Sequence, residues 1–78
     1  MNQPVAVDCT VARNGRVWVR RIKLEEHWHV VEQGRQWQDS EGRHVLIMRG
    51  GQPVEELVMS GDSLRWELRR RPQTLQVL

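Results

Sequence analysis

Leu64 to Arg69 reads Leu-Arg-Trp-Glu-Leu-Arg, with apolar side chains at 64, 66 and 68 and charged ones between them. A helix of 3.6 residues per turn would scatter those three apolar groups around its circumference, whereas an extended chain puts them on one face. The same period recurs at Val5, Val7, Cys9 and Val11, with Asp8 and Thr10 between, and again at Val17 and Val19. Runs of this kind, separated by Gly-containing turns, predict an all-β domain of roughly five or six strands. The architecture expected is a small antiparallel barrel or curled sheet of the SH3-like or OB-like kind. At 78 residues the chain has room for a single domain around one small core.

Several local signals refine this picture. Asn14-Gly15 lies between two β-rich runs and predicts a tight type I′ hairpin. From Val17 to Leu24 the apolar parity shifts from 17 and 19 to Ile22 and Leu24, which predicts a bulge or sharp bend inside that strand. Residues 24–33 admit two readings. As a helix, the alternative that would make the fold α+β, Leu24, Trp28 and Val31 form a stripe, with Glu25 and Glu26 in the first turn and Gly34 as the stop. As a strand, Trp28 and Val30 share a face against His27, His29 and Val31, and the β-branched content favours this reading. Gln33 to Gly42 is polar except for Trp37 and is expected to be a loop or hairpin tip. Val45 to Met48 is apolar without a break, as in a central strand covered on both faces or one with a face in a homodimer. Val54 to Met59 reads as a strand with Leu57 and Met59 inward, and 73–78 as a loosely held tail after Pro72.

Composition narrows the chemistry. The start, Met-Asn-Gln-Pro, lacks a signal-like apolar segment and no run is long enough to span a membrane, so a cytoplasmic location is expected. A single cysteine, Cys9, offers no internal disulfide and sits at an inward parity, where a thiol is a small hydrophobe. His27, His29 and His44 match no zinc spacing, so no metal and no cofactor are expected. Glu25-Glu26 and Glu55-Glu56 fail as acid–base pairs because neighbours on a strand face opposite ways, and Gly50-Gly51 lacks the Lys and Ser/Thr of a phosphate loop. Nothing here calls for an enzyme or a small-molecule substrate.

What remains is arginine and tryptophan. Of the 12 basic residues, 11 are arginine, set against 10 acids for a net charge of +2, and every aromatic ring among Phe, Tyr and Trp is one of four tryptophans. Trp66 and Trp28 are expected in the core. Trp18 lies on the parity of Arg16 and Arg20, and Trp37 follows Arg35 in a polar stretch, so these two rings are the candidates for solvent exposure. Exposed indole beside guanidinium is the chemistry of protein-interface anchors and of single-strand nucleic acid platforms. The candidate binding residues are therefore Arg16, Trp18, Arg20, Trp37, Arg65 and Arg69, supplemented by Arg70-Arg71.

The run Asn14-Gly15-Arg16-Val17-Trp18, together with Glu26-His27-Trp28, Gly42-Arg43-His44-Val45-Leu46 and Leu64-Arg65-Trp66-Glu67-Leu68, resembles small bacterial domains of SH3-like build. Some of those domains accompany error-prone DNA-polymerase-like mutagenesis proteins, and Arg20 stands here where an apolar residue would be looked for. The resemblance implies a non-enzymatic accessory role. The expectation is a binding module with a protein partner or a second copy of itself, the alternative being single-stranded nucleic acid.

Overall fold

The structure, a computed structural model, describes residues 2–70. It contains β1 (Asn2–Pro4), β2 (Ala6–Val11), β3 (Val17–Leu24), β4 (His27–Val30), β5 (Glu32–Gln38), β6 (Gly42–Met48), β7 (Glu55–Ser60) and β8 (Trp66–Arg70). The all-β class is as the alternation predicts, and among the described residues 24–33 holds no helix; Leu64, expected on one face with Trp66 and Leu68, instead lies before β8 with a φ of 58° and 69% exposed. The tail 73–78 and Arg71 lie outside the described residues.

The strands make two antiparallel sheets, a five-stranded one ordered β1-β8-β7-β6-β5 and a three-stranded one ordered β2-β3-β4, which curl against each other without closing into a barrel. The chain passes between sheets at two corners, Val5 and Val31. There Val5 N donates to Trp66 O and Val31 N donates to Arg20 O, each at 3.1 Å. The strands beyond the five or six expected are β1, whose Asn-Gln-Pro carries no alternation, and β5, which occupies the polar stretch expected as a loop.

The layer between the sheets is almost wholly aliphatic. Val17, Val19, Ile22 and Leu24 of β3 meet Val45 and Ile47 of β6, Leu57 of β7 and Leu68 of β8, with Val31 buried at its corner. Val5, Val7, Cys9 and Trp66 pack partly against them. Each fully buried Val, Ile or Leu contributes roughly 1.5–3 kcal/mol. β6 is a central strand, with Val45 and Ile47 inward and Leu46 and Met48 half-buried on the outer face.

The parity shift in β3 is a bulge. Asp8 pairs with Arg21 and Cys9 with Val19, leaving Arg20 as the extra residue. Val17, Val19, Ile22 and Leu24 all face the core as a result, while Arg20 and Arg21 both face solvent.

Two turns differ from expectation. Gly15 N donates to Ala12 O at 2.9 Å and Ala12 N to Arg16 O at 2.8 Å, with positive φ on Gly15 and not on Asn14. This is a three-residue loop with one left-handed position rather than a type I′ turn. The tight turn lies instead at Glu25-Glu26, where Leu24 pairs with His27 and the two glutamates have φ of 50° and 69°.

The polar stretch expected as a loop is β5, and its glutamines explain it. Beyond the end of β4, the edge of β3 at Val17 and Val19 has no backbone partner on that side. Gln33 Oε1 accepts from Val19 N at 2.7 Å and Gln36 Oε1 from Val17 N at 3.0 Å, while both amide nitrogens donate to Val17 O at 2.9 and 2.8 Å. Side-chain amides thus join the two sheets where a ladder would have closed a barrel.

Candidate functional site

The outer face of the three-stranded sheet collects the residues of interest. Facing outward from β3 are Trp18, Arg20, Arg21 and Lys23, with Arg16 just before the strand. β2 contributes Asp8 and Thr10 opposite Arg21 and Trp18, and β4 contributes Trp28 and Val30 opposite Lys23 and Arg21. Trp18 is 49% exposed, Trp28 43% and Val30 76%.

Trp28 was expected in the core and is not there. The strand reading had paired it correctly with Val30, but the side it takes is set by β3. Ile22 and Leu24 must face inward, and their register partners are His29 and His27, so the indole is left outside with Lys23 and Arg21. Trp66, by contrast, packs against the core as expected.

Each exposed ring carries a cation. Arg16 lies with Cζ 5.7 Å from the Trp18 ring centroid, and Arg21 with Cζ 4.7 Å from that of Trp28. Between the rings, the bulge sets Arg20 and Arg21 on one carboxylate. Arg20 Nη2 donates to Asp8 Oδ1 and Arg21 Nε to Asp8 Oδ2, both at 3.0 Å, while Arg20 Nη1 donates to Thr10 Oγ1 at 2.8 Å. The two guanidiniums, Arg20 first, hold the Asp8 carboxyl below its usual range. Four cations and one interior carboxylate share this face, with Glu26 3.7 Å from Lys23 at its corner.

The other expected site residues are on the five-stranded sheet and do not join this cluster. Trp37 is half-buried, with Arg35 Cζ 5.1 Å from its ring and the His44 imidazole stacked on it at 5.0 Å, the planes 2° apart. Arg69 pairs with Glu41 and Glu67 at 2.5 and 3.4 Å. Arg65 is exposed in the segment before β8 and lines a groove of about 450 Å³ with Trp66, Ser63 and Arg69.

His44 itself is buried, its Nδ1 2.5 Å from Glu56 Oε2 and its Nε2 2.9 Å from Asp39 Oδ1. Burial opposes a charge on the ring, but Glu56 and then Asp39 outweigh it and raise the imidazole above its ordinary value. The three histidines do not converge: His27 and His29 are on β4 of one sheet and His44 on β6 of the other. Among the described residues, Asp39, Glu41 and His44 bring three ligand-type atoms within 4.8 Å of one another, and each is already engaged by a protein partner. Glu55 and Glu56 face opposite ways as expected, Glu55 inward on Arg49 at 2.9 and 3.0 Å and Glu56 outward on His44. Cys9 packs against the core, and burial pushes its thiol up.

Sequence reasoning found Arg16, Trp18 and Arg20 and missed Arg21, Lys23 and Trp28. The signal for Arg21 was present, since a bulge after Val19 turns two consecutive residues outward.

Comparison with known proteins returned no matching family, no matching curated protein and no matching solved structure. Among the described residues, no helix is long and apolar enough to cross a membrane.

Proposed function

We propose that this chain is a non-enzymatic binding module whose recognition surface is the outer face of β2-β3-β4, and that the ligand it suits best is single-stranded nucleic acid. The observation that carries this reading is the alternation along one open sheet face: Arg16, Trp18, the Arg20-Arg21 pair, Lys23 and Trp28. From strand geometry the backbone positions of the two tryptophans are roughly 14 Å apart, with the cations between and beside them. Stacked bases on exposed aromatic rings contribute roughly 1–3 kcal/mol each, and guanidiniums and ammoniums hold the phosphates between. The excess of cations over carboxylates on this face favours an anionic partner over a neutral protein surface. The sequence resemblance to domains that accompany DNA-polymerase-like proteins supports the same reading.

A fluorescein-labelled dT12 strand tests it. Binding at 50 mM salt should quench tryptophan emission and weaken steeply as salt rises. Trp18→Ala and Trp28→Ala should each weaken binding by roughly five- to hundredfold, the range implied by one lost stack. No binding of dT12 by the wild-type chain at 50 mM salt would sink the reading.

The protein-partner or self-association reading has one observation in its favour, Val30 at 76% exposure beside Trp28 on the same face. It expects a dimer of twice 9.2 kDa in sedimentation at tens of micromolar, dispersed by Val30→Glu.

A further inference from the structure

The bulge in β3 places two consecutive guanidiniums on one carboxylate, and this arrangement says more than that the face is basic. We infer that Arg20 and Arg21 form a binding site for a single phosphodiester group, and that Asp8 is an internal competitor that occupies it in the free protein. The inference rests on reading the β2-β3-β4 face as a nucleic-acid surface.

A regular strand would send residues 20 and 21 to opposite faces, one into the core. The extra residue at Arg20 turns both outward, and Asp8, directly across from Arg21, bridges them with one oxygen each. A carboxylate gripped by two arginines has the geometry in which guanidiniums grip phosphate oxygens. These bonds leave Arg20 Nε and both terminal nitrogens of Arg21 as further donors, and the two side chains are 53% and 46% exposed. Arg21 also lies over the Trp28 ring, so an oxyanion received here sits beside an indole on which the adjoining base can stack. Thr10 Oγ1 fixes Arg20 from the far side, so the fork does not depend on Asp8 alone.

Asp8 acts in two opposing ways. It orients both guanidiniums, and it cancels one of their two positive charges. Exposed ion pairs order side chains only weakly, whereas a like charge within a few ångströms of an incoming phosphate acts on every binding event. Removing the charge should therefore outweigh the lost ordering, so Asp8→Asn, which keeps an oxygen acceptor, should bind more tightly.

The test compares wild type, Asp8→Asn and Arg20→Gln on fluorescein-dT12 across 25–300 mM salt, with thermal melts to show that each variant is folded. Asp8→Asn should tighten binding roughly three- to tenfold at 50 mM salt and steepen the log–log salt slope by about 0.7, one further phosphate neutralised on a single strand. Arg20→Gln should weaken binding and flatten that slope. Asp8→Asn binding no more tightly than a wild type that does bind would overturn this inference and leave the proposed function standing. If neither protein binds dT12 at 25 mM salt, both fall. A wild type that fails to bind at 25 mM salt overturns the proposed function and this inference with it, whatever Asp8→Asn does.

Discussion

At the residue scale the most constrained side chain is His44. A neutral imidazole has one N–H, yet both ring nitrogens face a carboxylate, so only the doubly protonated ring satisfies Glu56 and Asp39 together. Its pKa in the folded chain is raised, so its contribution to stability is complete below about 6.5 and is lost as pH rises through the raised value. Asp39 is lowered, chiefly by its bond to His44, and its share is present above about 3.8 and lost as pH falls through the lowered value. The melting temperature should therefore hold between those limits and decline on the alkaline side. His44→Gln should lower the plateau by roughly 1–3 kcal/mol and flatten the decline. Calorimetry from pH 4 to 9 checks this, and identical pH profiles for the two proteins would contradict it. None of it was legible beforehand, because a histidine just ahead of an unbroken apolar run carries no mark of burial and its partners come from 5 and 12 residues away. Trp18, Arg16 and Arg20 were legible, since their side of β3 is fixed by Val17 and Val19 alone.

At the element scale the β3–β4 connection runs against its own sequence. A two-residue type I′ turn favours Asn-Gly, but the chain places Glu25 and Glu26 at positive φ, where a side chain with a Cβ costs roughly 1–2 kcal/mol per residue. The register of β4 on β3, which keeps Ile22 and Leu24 inward, holds the turn in place. Glu25→Asn with Glu26→Gly should raise stability by about 1–2 kcal/mol, or some 4–8 °C in Tm per kcal/mol. Urea melts measure it, and a destabilised double variant would show that the turn is not strained as described. Here the turn chemistry in the sequence misleads: Asn-Gly stands where a three-residue loop forms, and Glu-Glu where the tight turn does. β5 was misread for a related reason. It is joined to the other sheet by glutamine amides bonded to the backbone of β3, and no count of apolar residues detects that.

At the scale of the whole molecule, the described chain begins and ends in one strand pair, with Asn2, Gln3 and Pro4 of β1 against Arg69, Leu68 and Glu67 of β8. Closing that pair brings together segments separated by nearly the full described length, and such non-local pairings slow folding. Refolding from urea, followed by tryptophan emission, should take milliseconds to seconds at 25 °C. Completion within about 100 µs would be incompatible with this topology. The two outer faces also differ in a way the total charge of +2 conceals. The three-stranded side is led by cations and open indoles, whereas on the five-stranded side Trp37, His44 and Arg69 are already engaged with partners within the protein.

The amide bonds of Gln33 and Gln36 have one more implication. They are all that occupies the hydrogen-bonding groups of β3 between Val17 and Val19 on that side, so if the two carboxamides let go, that stretch becomes an open template for a strand from another molecule. That edge of β3 is capped by a pair of side chains rather than by a neighbouring strand's backbone.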